Sequence, residues 1–393
     1  MAPPPSSNPD PSGPEGSPSS DGVGLRHVVG IGASAGGLEA LQQLVGQLKP
    51  TGAVSYVVAQ HLSPDHPSLI VDLLAHATTL PVVAAAEGDL LAPGVIVVGP
   101  PNRDLRVEGD RLRLLDPEPR FTPSPCIDQL FESIAEHWGE NGVAVVLSGT
   151  GSDGARGLLS VRACGGLTLV QTPETARFDG MPRSAIHLGG ADLVLDPAAI
   201  GQLLASRVAD GGEWMAKPLP GEVMPLSPIL QGLRQVSGID FSEYKDSTLQ
   251  RQLRRRMAIR QAVDLDAYRE LLLQDPQESA ALVRNLLVTV TTFFRDPASF
   301  DRLAARLRDK FQESGNRSSL RVWVPGCATG EEAYTIAMVV SQVLSHPADL
   351  ASRLRIFATD LDEASLAIAR RGEYPLSAAT AIPPELRDRF VTV

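Results

Sequence analysis

Between residues 28 and 48 the chain passes from a short β-branched run, Val28–Gly32, through a glycine-rich turn into a helical stretch, Leu38–Leu48. A strand that feeds straight into a helix returns to its sheet by a crossover, and that means parallel pairing. The alternation recurs. Val54–Gln60 reads as a second strand, followed by a helix over Ser68–His76, and later strands fall at Val95–Val98, Ala144–Leu147, Leu167–Gln171 and Leu193–Leu195. Leu105–Val107 and Leu112–Leu115 flank Gly109-Asp110 and read as a hairpin. Apolar strands alternating with helices predict an α/β domain, a doubly wound parallel sheet covered on both faces. Such sheets bind ligands beyond the carboxyl ends of their strands.

One sheet of this kind does not use up 393 residues. Residues 1–24 are mostly Pro, Ser, Gly and Asp, with too little apolar surface to offset ordering entropy, and are expected to be disordered. The α/β domain then spans 25–208. Residues 209–228 hold two glycine-rich turns and Pro218, Pro220, Pro225 and Pro228, the composition of a linker. Residues 229–285 are strand-poor and predict a small all-helical domain. Arg251, Arg254, Arg255, Arg256 and Arg260 crowd one of its helices with no acid between them. A new α/β pattern over 286–393 has strands at Leu320–Val324 and Leu354–Thr359. It reads as an incomplete Rossmann-like domain, because a two-stranded parallel half-sheet leaves an open edge.

A net charge of −11 argues against nucleic acid as the main partner. Cys126, Cys164 and Cys327 are scattered, and their spacing suggests neither a metal site nor a disulfide framework. No apolar run approaches the length of a membrane span and the N-terminus lacks the pattern of a secretory signal, so a cytoplasmic protein without membrane insertion is expected.

Gly32-Ala33-Ser34-Ala35-Gly36 lies between strand and helix, the setting of a G-x-S-x-G nucleophile elbow. Gly30-Ile31-Gly32 and Gly36-Gly37 also fit a dinucleotide loop, but that reading expects an acid at the end of the second strand, where Gln60-His61 stands. The nucleophile is favoured and the alternative stays open. His61 would share a sheet edge with Ser34, although a lone histidine there is often an ordinary loop residue. Asp153 follows the strand Ala144–Leu147 after a short run of small or polar residues. It is placed to orient an imidazole, or to cap the next helix, and the two roles are compatible.

In order, Ile31–Gly37, Ala59-Gln60-His61, Leu147–Gly154 and Gly180–Ile186 resemble the four motifs of CheB-type chemoreceptor methylesterases, across nearly all of residues 25–200. The resemblance implies hydrolysis of glutamate γ-methyl esters on the methylated acidic helices of chemoreceptor-like proteins, often with glutamine deamidation, and no cofactor. Ser34, His61 and Asp153 then match nucleophile, base and orienting acid, and the Met181 loop shapes their pocket. Thr150 stands where that family often has a methionine beside the oxyanion position. Nothing N-terminal resembles a receiver domain, so phosphorylation control within the chain is not expected.

In the second half, Val322–Tyr334 runs from strand through a glycine loop into a helix opened by Glu331 and Glu332, acids that would repel a phosphate. Asp360 ends the next strand, where a carboxylate can accept ribose hydroxyls. A nucleoside ligand without phosphates fits, and so does plain helix capping. With Gly238–Lys245, the arginine-rich helix and Leu286–Arg295, this half resembles CheR-type receptor methyltransferases from about residue 229 to the end. That resemblance implies S-adenosylmethionine, with Thr291, Arg295, Glu332 and Asp360 at cofactor-contacting positions. It also turns the basic helix toward an acidic receptor helix, a solvated charged face being the alternative. Since no sheet-completing segment is seen before Val393, no useful methyltransferase activity is expected from this chain alone. Completion by another chain, or a receptor-binding scaffold with incidental catalysis, are the competing expectations.

Overall fold

The structure, a computed structural model, describes residues 24–50, 52–61, 69–117, 124–209, 226–287, 291–313, 319–344 and 353–392. Nearly all of the expected disordered tail, most of the expected linker, and Ser68 lie outside the described residues.

The first half is a seven-stranded, all-parallel sheet in the order β3-β4-β2-β1-β7-β8-β9. Its strands are β1 (His27–Ala33), β2 (Val54–Gln60), β3 (Val82–Ala84), β4 (Ile96–Val98), β7 (Gly142–Val146), β8 (Leu167–Gln171) and β9 (Leu193–Leu195). The hairpin β5 (Asp104–Glu108) and β6 (Arg111–Leu115) pairs separately. β1 and β2 are buried along their whole length, as strands covered on both faces must be. Successive residues serve opposite layers. Val29, Ile31 and Ala33 of β1 and Val143 and Val145 of β7 pack with α1 (Gly37–Val45), α2 (Ile70–Ala75) and α6 (Pro197–Ala209). Val28, Ala144 and Val146 pack with α3 (Ile127–Trp138), α4 (Ala155–Ala163) and α5 (Gly180–His187). The chain turns from β1 to β2 on one side and returns to β7 on the other. The β1–β7 boundary is therefore the switch point where such sheets open a crevice.

The helical domain comprises α7 (Ser227–Ser237), α8 (Asp246–Arg260), α9 (Leu265–Gln274) and α10 (Pro276–Leu286), packed around Phe241, Tyr268 and Leu282. The last part places β10 (Leu320–Pro325) parallel to β11 (Leu354–Thr359). Around that pair lie α11 (Pro297–Glu313), α12 (Glu331–Leu344), α13 (Glu363–Arg371) and α14 (Pro384–Phe390). No helix among the described residues is long and apolar enough to cross a membrane.

The arginine run on α8 corrects the sequence reading. Instead of a free basic face it makes contacts within the chain. Arg255 is 2% exposed, donates from Nε to the Gly166 carbonyl at 2.9 Å, and pairs with the buried Asp192 of the first domain. Arg256 binds Glu278 at 2.9 Å, and Glu278 also accepts from Tyr268 and Arg260. Arg254 donates to Gln250, and Arg251 reaches the Ala163 carbonyl. Across the same seam Arg162 pairs with Asn285. Composition could not show this, because Asp192 lies 63 positions away in another domain. Truncating Asp192 to alanine leaves the Arg255 guanidinium buried and unpaired, so the chain should lose roughly 3–5 kcal/mol in chemical denaturation. An unchanged midpoint would mean that this pair contributes nothing to the seam.

Candidate active site

The β1–β2 register sets Ala33 opposite Gln60, so Ser34 and His61 leave the sheet side by side. The His61 amide donates to the Ala33 carbonyl at 3.0 Å and fixes that exit. Gln60 is buried beneath them and donates to the Ser34 carbonyl at 2.8 Å. Asp153 arrives from the far side of β1, at the end of the loop that follows β7.

The three side chains form one hydrogen-bonded line. His61 Nδ1 lies 2.9 Å from Ser34 Oγ, and His61 Nε2 lies 2.8 Å from Asp153 Oδ2. With a carboxylate facing Nε2, the proton belongs on Nε2, which leaves the Nδ1 lone pair to accept from the serine hydroxyl. The histidine side chain is 11% exposed and the aspartate side chain 6%, so the line is nearly dry.

Asp153 is itself held at the start of α3. Its Oδ2 accepts the Ile127 amide at 2.9 Å, and its Oδ1 accepts the Asp128 and Gly154 amides, each at 2.9 Å. A carboxylate at a helix N-terminus receives both orphan N–H groups and the favourable end of the helix dipole. The Cys126 thiol also points at Oδ1, at 3.8 Å. Burial first, then Asp153, Asp128 and Asp104 nearby, pushes that thiol's pKa far up, so Cys126 stays protonated and is no nucleophile. Asp104, 1% exposed, accepts the Cys126 amide at 2.8 Å, and burial raises its carboxyl above the ordinary range.

The turn after Ser34 places its left-handed residue at Gly36, φ 68°, while Ser34 keeps a negative φ. The strain expected at the elbow thus falls on a glycine, where it costs little. The Ser34 amide is taken by the Ser148 carbonyl at 2.9 Å. Amides for a developing oxyanion must come from either side of it, and among the described residues those of Ala35 and Thr150 have no acceptor. Gly149 allows the β7 loop to come this close, since a Cβ there would stand 2.7 Å from the Ser34 Cβ and 2.1 Å from the Met181 sulfur. Met181, fully buried, closes the floor of the site.

Comparison with known proteins gives this geometry a setting. The family model described as CheB methylesterase matches residues 29–204. Those described as CheR methyltransferase, all-alpha domain, and CheR methyltransferase, SAM binding domain, match residues 225–287 and 289–393. One chain carries a CheB methylesterase domain and both CheR domains. An uncharacterized 104.1 kDa protein of Rhodobacter capsulatus is 39% identical over 348 residues, 82% of this chain and 36% of that protein. A protein-glutamate methylesterase/protein-glutamine glutaminase of Anaeromyxobacter dehalogenans is 37% identical over 206 residues, 52% of this chain and 57% of its own length. Another, from Pectobacterium atrosepticum, is 33% identical over 188 residues, 47% of this chain and 53% of its own. The chain thus spans 36% of the first relative and little more than half of the other two. The CheB methylesterase catalytic domain of Thermotoga maritima aligns with 46% of this chain and 97% of its own, at 28% identity and a TM-score of 0.43.

In the CheR half the four expected cofactor residues do not share one cavity. Asp360, with Gly330, Tyr334 and Thr359, lines a cavity of about 460 Å³. Thr291 lines another, with Thr329 and Glu331, closed from the CheB side by Glu132 and Arg156. Arg295 faces a third, with Phe293, Phe294 and Phe300. Glu332 is exposed on the first turn of α12 and lines none of the three. Asp360 already binds the glycine loop, its Oδ2 accepting the Ala328 amide at 2.7 Å and its Oδ1 the Asp362 amide at 2.9 Å. Each carboxylate oxygen keeps a lone pair for a hydroxyl, and the cavity falls within the size range of small-molecule sites. The buried neighbour Glu331 accepts from the Thr329 hydroxyl at 2.6 Å and braces the loop from below. Sequence reading placed the acids of this helix and missed that the first of them is structural.

Proposed function

We propose that the CheB domain hydrolyses glutamate γ-methyl esters on chemoreceptor-like proteins, with Ser34 as nucleophile, His61 as base and Asp153 as orienting acid. The observation that carries this reading is the unbroken Ser34–His61–Asp153 hydrogen-bonded line at the switch point of the sheet. His61 Nδ1 takes the Ser34 proton as Oγ attacks the ester carbonyl, and Asp153 stabilises the imidazolium through Nε2. The Ala35 and Thr150 amides receive the oxyanion. The imidazolium then protonates the departing methoxide, methanol leaves, and water, deprotonated by the same nitrogen, releases glutamate and Ser34. A glutamine side chain presents the same carbonyl with ammonia as leaving group, so deamidation follows the same route. None of these steps uses a cofactor. Methanol release from a methylated receptor by the full chain tests the reading, and release at the uncatalysed rate would overturn it.

For the CheR half we infer S-adenosylmethionine as ligand. The family model described as SAM binding matches this segment, and Asp360 offers hydroxyl acceptors beside a cavity of suitable volume. When bound, the cofactor supplies an electrophilic methyl group. Asp360 would hold its ribose, with Thr291, Arg295 and Glu332 drawn in from their present positions. A scaffold reading built on the arginine-rich helix has less support, because that helix is occupied within the chain.

A further inference from the structure

We propose that Asp128 is a positioning residue of the esterase, fixing the triad acid Asp153 by anchoring the helix that follows it. The inference rests on the Ser34–His61–Asp153 reading above. Asp128 lies in the first turn of α3 and is 3% exposed, and Asp153 directly precedes Gly154, the N-cap of α4. The two helix starts exchange carboxylates. Asp153 accepts the Ile127 and Asp128 amides of α3, and Asp128 Oδ1 accepts the Gly157 amide of α4 at 2.8 Å. Each acid caps the other's helix, so neither helix start can move without breaking a buried, charge-assisted hydrogen bond. Asp128 therefore constrains Asp153, and through it the His61 ring, without touching substrate.

Its carboxyl sits in a cluster of charged groups. The groups facing Asp128 are Asp153 ahead of α4, Arg156 on α4, Glu132 on α3 and Cys126 before α3, with Asp104 of β5 beyond the cysteine and His61 reached through Asp153. Burial, then the Asp153 charge, raises the Asp128 carboxyl to about 7 against the pull of Arg156.

The experiment measures p-nitrophenyl acetate hydrolysis by the full chain as wild type, D128A, D128N and S34A, with kcat and KM of each. D128A, which leaves the Gly157 amide without its acceptor, should lower kcat about 10- to 100-fold at unchanged KM. D128N, whose carboxamide oxygen can still accept that amide, should recover to within about fivefold of wild type. Wild-type kcat in folded D128A, or equal losses in both variants, overturns the proposal. If D128A does not fold, D128N decides alone, and a kcat loss beyond about fivefold or a raised KM overturns it. Inactive S34A beside unchanged Asp128 variants removes only the positioning role, whereas turnover by S34A removes the esterase reading beneath it.

Discussion

Replacing Ser34 by alanine should lower ester hydrolysis by about a hundred-thousand-fold or more while the protein still binds its substrate and melts as the wild type does. The size of the effect follows from what the residue does. Removing the nucleophile leaves only binding and oxyanion stabilisation, a small residue of the full rate. Ser34 is 9% exposed and, among the described residues, its hydroxyl is bound only by His61, so the truncation opens no core cavity and leaves no new unpaired backbone group. Methanol release and a thermal melt on the same sample separate the two effects. A mutant that retains a tenth of the rate would place the nucleophile elsewhere.

The second large effect is expected at Asp153→Asn, at about ten-thousand-fold in kcat. Every direction around this carboxylate is occupied by a donor. Oδ2 faces His61 Nε2 and the Ile127 amide, while Oδ1 faces the Asp128 and Gly154 amides and the Cys126 thiol. A carboxamide must turn its NH2 toward one of these sets. Toward His61, it forces the proton onto Nδ1 and removes the lone pair that accepts from Ser34. Toward α3, it sets donor against donor at the helix start. Either way the imidazolium loses its counter-charge, and unlike Ser34→Ala this substitution should also cost stability. A kcat within tenfold of wild type would show that His61 does not depend on Asp153 for its tautomer.

The parallel sheet was readable because its strands are short, largely apolar runs alternating with helices, and β1, β2, β8 and β9 appear within a residue or so of where periodicity puts them. The short strand β3 was not. Val82–Ala84 is three residues long, partly exposed at the sheet edge, and carries no alternation to detect. Helix ends were blurred in the usual way, α1 closing at Val45 rather than Leu48. Ser34, His61 and Asp153 could be picked out because each follows a strand, and chain topology alone sends such residues to one edge. Asp128 left no such mark. An acid in the first turn of a helix is ordinary, and its bond to Gly157 exists only once α3 and α4 cross. Arg255 misled for the same reason in reverse, since a basic run looks solvated until a distant Asp192 buries it. The cofactor residues of the CheR half were chosen by resemblance, and resemblance carries no information about which cavities adjoin.

The most direct test of the central claim is to catch the acyl-enzyme. The full chain, quenched in acid during turnover of p-nitrophenyl acetate and mapped by peptide mass spectrometry, should carry the acetyl group on Ser34 in the wild type. The S34A protein should carry none. Turnover that proceeds at the wild-type rate with the acetyl group on another residue, or in S34A at all, would contradict Ser34 as the nucleophile.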